Sequence, residues 1–347
     1  MRFLIVSLSL LLFSLTADSQ SADALVKEGV ALHDKGLYDE AIKKYDAAIA
    51  IDKDHYLAYY EKSYSLMMAK KYEDCIGLSK YILTTFKDGP ENKSVYINYG
   101  TCYDYLGKPK ESLEIYDEGI KKYPDVGLLY FNKAVTLYGT QNIPAAIETI
   151  KLSIRKSPYH ASSHHFMSVA VGNSNKVYSL LASLTFLAID QESERAKYHL
   201  SNAETVIGSN VKKTGEKSTT ITLVMPDEKN KNAEDQFRMV EMAMSLSSAL
   251  NSDDKYKNET RVERMERNLE MVFSQLKGNI KDGKGFGWSY YATFFADLYS
   301  KKYQNIFSHM IYSSANDAAN EKWLEDNKDK VTEFKEWFKS YNWNNKG

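Results

Sequence analysis

The chain has little of several features that would assign it to a particular protein class. Its 347 residues include two cysteines, too few for a disulfide-built scaffold. Its 45 basic and 46 acidic residues nearly cancel, which argues against a basic nucleic-acid-binding face and against electrostatic attachment to an anionic membrane. The one long apolar run, residues 3–15, is shorter than the roughly 20 residues that span a bilayer.

The apolar run does have the features of a secretory signal peptide. It follows a short basic start, Met1-Arg2, and precedes small residues at the spacing of a cleavage site, residues 17–19. We therefore expect residues 1–19 to be a signal peptide that is cleaved before Gln20. The mature chain is then an exported protein, periplasmic or secreted, with no integral membrane segment after cleavage.

A pattern recurs about every 34 residues from Ala22 onwards. Each copy has two apolar stripes at helical spacing, separated by a turn, and the first four turns fall near Gly36, Lys70, Gly107 and Gln141. Residues three and four apart share one face of a helix, so each copy reads as a pair of packed helices. A fixed period of this length predicts a stack of helical hairpins.

The pattern resembles the tetratricopeptide repeat family, whose first helices carry a small residue between two large ones. The small residue here is Gly29, Ser63, Gly100 and Ala134 in turn, while Lys62 and Lys133 depart from the family's apolar pattern. The resemblance implies an all-α fold, a right-handed α-solenoid of helix-turn-helix repeats. We expect repeats near 22–55, 56–89, 93–126, 127–160 and 161–190, with a capping helix over 192–207.

After residue 207 the sequence changes character. Residues 208–231 are polar and contain glycine and proline, which predicts a linker or flap. Within them, residues 219–225 alternate like a strand without an evident partner. Helical periodicity returns at Asn232, so we expect residues 232–347 to form a helical C-terminal domain, for which the sequence suggests no family.

Three sets of residues could in principle form a metal site, a phosphate-binding loop or a disulfide. His160, His164 and His165 are the best metal candidates, since His160 and His164 lie one helical turn apart, but two histidines at that spacing need a third ligand and the local run offers no carboxylate, so capping and groove-lining roles are favoured over a metal site. The glycine-rich run 283–287 lacks the order of a phosphate loop and predicts a flexible turn. Cys75 and Cys102 are interpreted as two small buried side chains, with a disulfide as the alternative. We expect no metal, no cofactor and no enzymatic activity.

The first helices of such repeats line a concave groove, and here they carry an aromatic and amide-bearing surface. Where related grooves clamp a peptide carboxylate with lysine and arginine, this chain has Tyr60, Ile97, Leu128 and Phe131, so that mode of binding is not expected. We expect a protein or peptide partner, and no nucleic acid. As an alternative, the chain is a structural subunit of an envelope or secretion assembly, with the groove covered by its own C-terminal half. The predicted groove residues are Tyr60, Tyr64, Met67, Ile97, Asn98, Tyr105, Phe131, Asn132, Val135, Tyr138 and His165.

Overall fold

The computed structural model describes residues 21–214, 219–222 and 234–343, and the predicted signal peptide lies outside them. The chain forms two compact units, residues 1–119 and 120–347. The predicted linker or flap at residues 208–231 stays a prediction. Among the described residues, no helix is both long and apolar enough to cross a membrane.

The described part of the first unit consists of consecutive helix pairs. Neighbouring helices pack along the chain, α1 with α2, α2 with α3, and so on to α5. This confirms the predicted helical hairpins. The helices are α1 (Ala22–His33), α2 (Tyr38–Ile51), α3 (Tyr56–Met68), α4 (Tyr72–Thr85), α5 (Asn92–Tyr105) and α6, which begins at Pro109 and ends at Lys122 just beyond the unit.

The turns between paired helices have one backbone conformation in common. In the first four pairs, a left-handed residue follows the first helix, where it ends the helix and reverses the chain. Glycine adopts this conformation without strain, whereas a side chain costs about 1 kcal/mol or more. The four residues are those predicted from the repeat, with φ values of 76° at Gly36, 60° at Lys70, 69° at Gly107 and 63° at Gln141.

In three of the first four repeats, the small residue of the first helix faces a larger residue of the second helix. Tyr45 and Tyr116 are fully buried, and each packs its ring against the glycine sixteen residues earlier, Gly29 or Gly100. A Cβ atom at Gly100 would meet the Tyr116 ring at 2.5 Å, so glycine is required there. In the fourth repeat, Ala134 instead packs in one cluster with a smaller partner, Ile150.

The second unit continues with helix pairs and then adds the C-terminal helices. The start of the helix Arg261–Asn279 is explained by its sequence, because Thr260 and Glu263 make a reciprocal capping box there. The elements are α7 (Gly127–Gly139), α8 (Ile143–Lys156), α9 (Ala161–Val171), α10 (Lys176–Ile189), α11 (Glu194–Gly208), β1 (Val211–Lys213), β2 (Thr219–Ile221), α12 (Arg238–Ala249), α13 (Arg261–Asn279), a π-helical turn (Gly287–Ala292), α14 (Thr293–Ser300), α15 (Gln304–Ile311), α16 (Ala318–Asp326) and α17 (Lys328–Lys339).

Helix α10 lies at the centre of the second unit. Every residue from Val177 to Ala188 is buried, as its nearly uninterrupted apolar sequence predicts. It packs on α9 and α11, and on its other sides against the π-helical turn and α15. Repeat helices and C-terminal helices therefore share one hydrophobic core, which explains why the compact units do not divide after α11.

The polar segment after α11 contains a short antiparallel pair of strands. Val211 pairs with Ile221 and Lys213 with Thr219, so the strand predicted near residue 219 has a partner after all. The partner was missed because residues 211–213 show no apolar alternation. Both strands pack against α12. The remainder of the predicted strand and Asn232 lie outside the described residues.

Candidate interaction surface

In the second unit, helix α7 carries an apolar stripe that is partly exposed, although one of its members, Phe131, also packs against the core. Leu128, Phe131, Val135 and Tyr138 are spaced three, four and three residues apart, which places them on one side of the helix. Leu128 is 42% exposed and Val135 is 38% exposed, although both belong to residue types that are usually buried. The stripe therefore runs along most of the helix as a partly exposed apolar strip.

Helix α9 extends this stripe with further aromatic and apolar side chains. The ring of Phe166 lies 5.3 Å from the ring of Tyr138 and 6.4 Å from that of Phe131, with edge-to-face geometry in both pairs. Val169 on the same helix is exposed. The rings on α7 and α9 thus form one continuous patch.

His165 connects the patch to helix α11. Its Nδ1 lies 3.0 Å from Nε2 of the buried His199, and its ring contacts the exposed Tyr198. Burial, together with the neighbouring charge of Arg195, lowers the pKa of His165, so the ring is neutral at physiological pH. We call the whole surface the α7–α11 face. It comprises Leu128, Phe131, Val135, Tyr138, His165, Phe166, Val169 and Tyr198.

The two asparagines that were predicted to be equivalent have different environments. Asn132 lies half-buried on α7, and its amide donates to the carbonyl oxygen of Leu128 at 2.8 Å, which leaves its side-chain oxygen to accept from a partner. Asn98 on α5 is only 4% exposed and donates to Oγ of Ser63 at 3.3 Å. The structure therefore places Asn98 inside the helix stack and not on a groove surface, because a neighbouring hydroxyl draws its amide inward.

Half of the predicted residues of the first unit lie on α3. Tyr60, Tyr64 and Met67 are half-buried along one side of that helix, and the Tyr64 ring stacks on His33 of α1 at 4.6 Å. Glu61 lies between Tyr60 and Tyr64 in the sequence. Burial raises the pKa of its carboxyl group, and the nearby carboxylates of Asp34 and Glu91 raise it further. This part of the surface is aromatic with an acidic component.

Helix α5 contributes two more of the predicted residues in the first unit. Ile97 is half-buried. Tyr105 is 63% exposed, and its ring lies 5.2 Å from that of Tyr72 on α4. Tyr105 is thus the most exposed aromatic residue of the predicted set.

The three histidines that were considered as metal ligands point to different partners. His160 Nδ1 pairs with Ser163 at 2.8 Å, and His165 pairs with His199. His164 uses both ring nitrogens, since Nε2 lies 2.8 Å from the carbonyl oxygen of Pro158 and Nδ1 lies 2.8 Å from the Tyr291 hydroxyl. Within the described ranges, no three metal-ligating side chains converge.

The glycine-rich run is a structured turn that encloses a carboxylate. Oδ1 of Asp235 accepts from the Gly287 N–H at 2.6 Å, and the Asp235 N–H donates to the carbonyl oxygen of Lys284 at 2.7 Å. Burial raises the pKa of Asp235 to about 6, even though the Gly287 N–H favours the charged form. Sequence reasoning missed Asp235 because the two segments are about 50 residues apart and neither carries a recognisable motif.

The two cysteines are free thiols inside the first unit. Both are fully buried. A hydrogen bond with Cys75, together with burial, holds the pKa of the Cys102 thiol well above its usual range. A thiol of this kind is protonated and unreactive at physiological pH.

The C-terminal helices contact the repeats at positions away from the α7–α11 face. Tyr291 binds His164 and packs on Tyr178 of α10, while the guanidinium of Arg155 on α8 lies over the Phe286 ring. In the described residues, the ring contacts of Phe131, Tyr138 and His165 are made with side chains between residues 160 and 199. These ring contacts do not involve the C-terminal helices.

Comparisons with known proteins bear on the family. A family model described as tetratricopeptide repeat matches residues 7–56 and 100–161, and its first segment begins within the predicted signal peptide. No curated protein matches the chain. Solved structures match with low TM-scores, which supply no argument about function.

Three of these solved structures illustrate the extent of the likeness. MamA from Desulfovibrio magneticus RS-1 is 12% identical, with 54% of this chain and 93% of that chain covered and a TM-score of 0.38. YrrB, described as a TPR protein with an unusual peptide-binding site, is 17% identical, with 54% of this chain and 93% of that chain covered and a TM-score of 0.38. PilF from Pseudomonas aeruginosa is 18% identical, with 55% of this chain and 75% of that chain covered and a TM-score of 0.38.

Proposed function

We propose that this chain, which belongs to the tetratricopeptide repeat family, is a non-enzymatic scaffold that binds a peptide or partner protein through the first helices of its repeats. The observation that carries the proposal is the α7–α11 face, where large apolar side chains remain exposed on consecutive first helices. Contiguous apolar patches on a folded surface are typical of interaction sites. Aromatic side chains within them supply the anchors that account for most binding energy.

The chemistry of the α7–α11 face favours a segment with apolar side chains at regular spacing. Phe131, Tyr138 and Phe166 offer rings against which such side chains pack, and the side-chain oxygen of Asn132 accepts a backbone N–H. An amphipathic helix or an extended peptide presents both groups. On the first unit, Tyr60, Tyr64, Met67, Ile97 and Tyr105 are proposed as additional contacts.

We also propose that the scaffold acts outside the cytoplasm. The support is the basic start, the apolar run of residues 3–15 and the small residues that follow it. Mass spectrometry of the mature protein tests this proposal, with an N-terminus expected near Gln20. A mature chain that retains Met1 would contradict both the signal peptide and the export.

Two exposed leucines provide a matched test of the binding face. Leu128 is 42% exposed on a first helix, and Leu152 is 46% exposed on the second helix of the same repeat. A photocrosslinking amino acid at position 128 should capture a defined partner, and the same group at position 152 should not. Equal capture at the two positions would contradict the proposed face.

Alanine variants then separate partner binding from cover by the chain itself. If a partner binds the face, Tyr138→Ala and Asn132→Ala, with Tyr64→Ala in the first unit, should each weaken capture while melting stays nearly unchanged. An anchor residue typically contributes about 2 kcal/mol or more to binding. If the C-terminal half covers the face, the same changes should lower the melting temperature, because they remove internal packing.

A further inference from the structure

A polar cavity of about 370 Å³ lies outside the repeats, between α11, α12 and α13. Arg261, Arg264 and Asn268 line it from α13, and their spacing of three and four residues places them on one side of that helix. Ile207 and Met265, both buried, give it an apolar wall. The cavity is separate from the α7–α11 face.

Most charged groups around the cavity already have partners. Arg261 makes a two-pronged ion pair with Glu204, with Nε and Nη2 each 2.6 Å from a carboxylate oxygen. The Tyr312 hydroxyl donates to the same carboxylate at 2.6 Å. Burial and this hydrogen bond raise the pKa of Tyr312, so the phenol stays neutral. Glu204 and Arg261 therefore cancel each other's charge.

Arg264 is the cation that remains. Its Nε is buried without a hydrogen-bond partner, and no ion pair or side-chain hydrogen bond involves its guanidinium within the described ranges. The next arginine along the helix, Arg267, shows the contrast, because it is bound by Glu259, by Asn251 and by the carbonyl oxygen of Ser247. A buried donor without a partner is energetically unfavourable, so Arg264 is suited to bind an anion.

Asn268 adds an acceptor beside this cation. It is 2% exposed, and its amide nitrogen donates to the carbonyl oxygen of Arg264 at 2.7 Å. That bond fixes the side chain and leaves its Oδ1 buried without a partner in the described part of the chain. Because the two residues are one helical turn apart, about 6 Å along the axis, one small molecule can satisfy both.

We propose that this cavity binds a small monoanionic carboxylate that carries a neutral hydrogen-bond donor, such as an N-acyl amino acid or a hydroxy acid. The carboxylate pairs with the guanidinium of Arg264, whose planar fork matches two carboxylate oxygens. The donor, an amide N–H or a hydroxyl, binds Oδ1 of Asn268, which can only accept. The apolar wall of Ile207 and Met265 contacts the carbon skeleton.

The charge of the cavity selects among anions. With Arg261 neutralised by Glu204, a single positive charge remains, and it balances one carboxylate. A phosphate dianion would bring its second charge close to Glu204 and would be repelled. An amide of the same shape would lack the charge for Arg264, and a simple fatty acid would lack the donor for Asn268.

Titration of the full-length chain with N-acetyl-L-alanine, followed by calorimetry and ligand-observed NMR, tests the proposal. We expect saturable binding that weakens at least tenfold in Arg264→Gln and in Asn268→Leu. Arg264→Lys, which keeps the charge but not the fork, should lose less. Arg195→Gln, a change in an exposed arginine on α11, should bind as the native chain does. Propionate, N-acetyl-L-alaninamide and inorganic phosphate should each bind at least tenfold more weakly.

The variants remain informative because they should stay folded. Arg264→Gln removes a buried polar atom that has no partner, so in the absence of ligand it should unfold as the native chain does. Asn268→Leu removes the unpartnered Oδ1 together with the hydrogen bond from its amide to the carbonyl oxygen of Arg264, so its unfolding without ligand is measured separately. The proposal is overturned if no probe binds saturably, which would mean that water alone occupies the cavity. It is also overturned if Arg264→Gln binds N-acetyl-L-alanine unchanged, or if phosphate or the amide binds equally well.

Discussion

The burial of His164 makes the stability of the second unit depend on pH in a calculable way. The carbonyl oxygen of Pro158 can only accept, so the Nε2 of His164 carries its hydrogen and Nδ1 accepts from the Tyr291 hydroxyl. The fold thus holds the neutral imidazole and has no place for a second proton. Burial lowers the pKa of His164 from 6.5 to about 4, with a small further lowering by His160.

The sign of the effect follows from proton counting. Between pH 6.5 and 4 the unfolded chain binds a proton at His164 that the folded chain does not, so this contribution to stability is complete above pH 6.5 and is lost as the pH falls. With these two pKa values, the free energy of unfolding should fall by about 2 kcal/mol between pH 7 and pH 5. His199, whose pKa burial and then His165 lower to about 3, should add a loss of similar size.

Urea unfolding at pH 7 and pH 5 measures this dependence. All four tryptophans lie between residues 288 and 343, so tryptophan fluorescence reports on the second unit alone. We expect His164→Gln to lose about 2 kcal/mol less than the native chain between the two pH values. Comparing losses removes the contributions of all other titrating groups, as well as any offset that the substitution causes at pH 7.

Tyr291→Phe is the control, because it breaks the hydrogen bond and keeps the histidine. It should lower stability at pH 7 by about 1–3 kcal/mol, since it leaves the buried Nδ1 of His164 without a partner. Its loss between pH 7 and pH 5 should match that of the native chain. If His164→Gln shows the native loss, or if NMR shows the His164 ring titrating near pH 6.5 in the folded protein, the reasoning is refuted.

Two further predictions concern backbone conformation. Gln141→Gly should stabilise the chain by about 1 kcal/mol, because glycine adopts the left-handed conformation without strain, while Gly107→Ala should destabilise it by a similar amount. Urea unfolding followed by circular dichroism compares the two variants. A loss of stability in Gln141→Gly would contradict the strain argument. Gly285→Ala should cost more than about 2 kcal/mol, because φ is +96° and the new Cβ would meet Asp235 Oδ1 at 2.6 Å. Gly278→Ala, on a helix with open space around it, should instead add about 0.5 kcal/mol, and equal effects at the two glycines in the same assay would rule out this account.

The repeats could be predicted from the sequence because their determinants are local. A turn residue and a small crossing residue recur within each of the first four 34-residue copies, so each copy supports the interpretation of the next. The left-handed backbone at Lys70 and Gln141 follows from equivalence to Gly36 and Gly107, although neither residue type by itself suggests it.

The environment of each groove residue was less predictable, because it depends on neighbours that differ between copies. Asn98 and Asn132 are 34 residues apart, and their spacing alone predicts equal exposure. Ser63 supplies Asn98 with a buried acceptor, whereas Asn132 bonds within its own helix and stays half-exposed. Period and register place a residue on a helix, but whether its side chain is buried depends on the hydrogen bonds available at that position.

The C-terminal half shows where prediction from a single sequence stops. The apolar sequence of α10 predicts burial on more than one side, and residues 290–299 are rich in aromatic side chains, but no local pattern predicts that these two segments pack on each other. Tyr291 joins them by packing on Tyr178 of α10 while donating to His164. A substitution in this contact should therefore affect repeats and C-terminal helices together. The fifth repeat thus buries its second helix, α10, against the C-terminal helices, and both belong to one hydrophobic core.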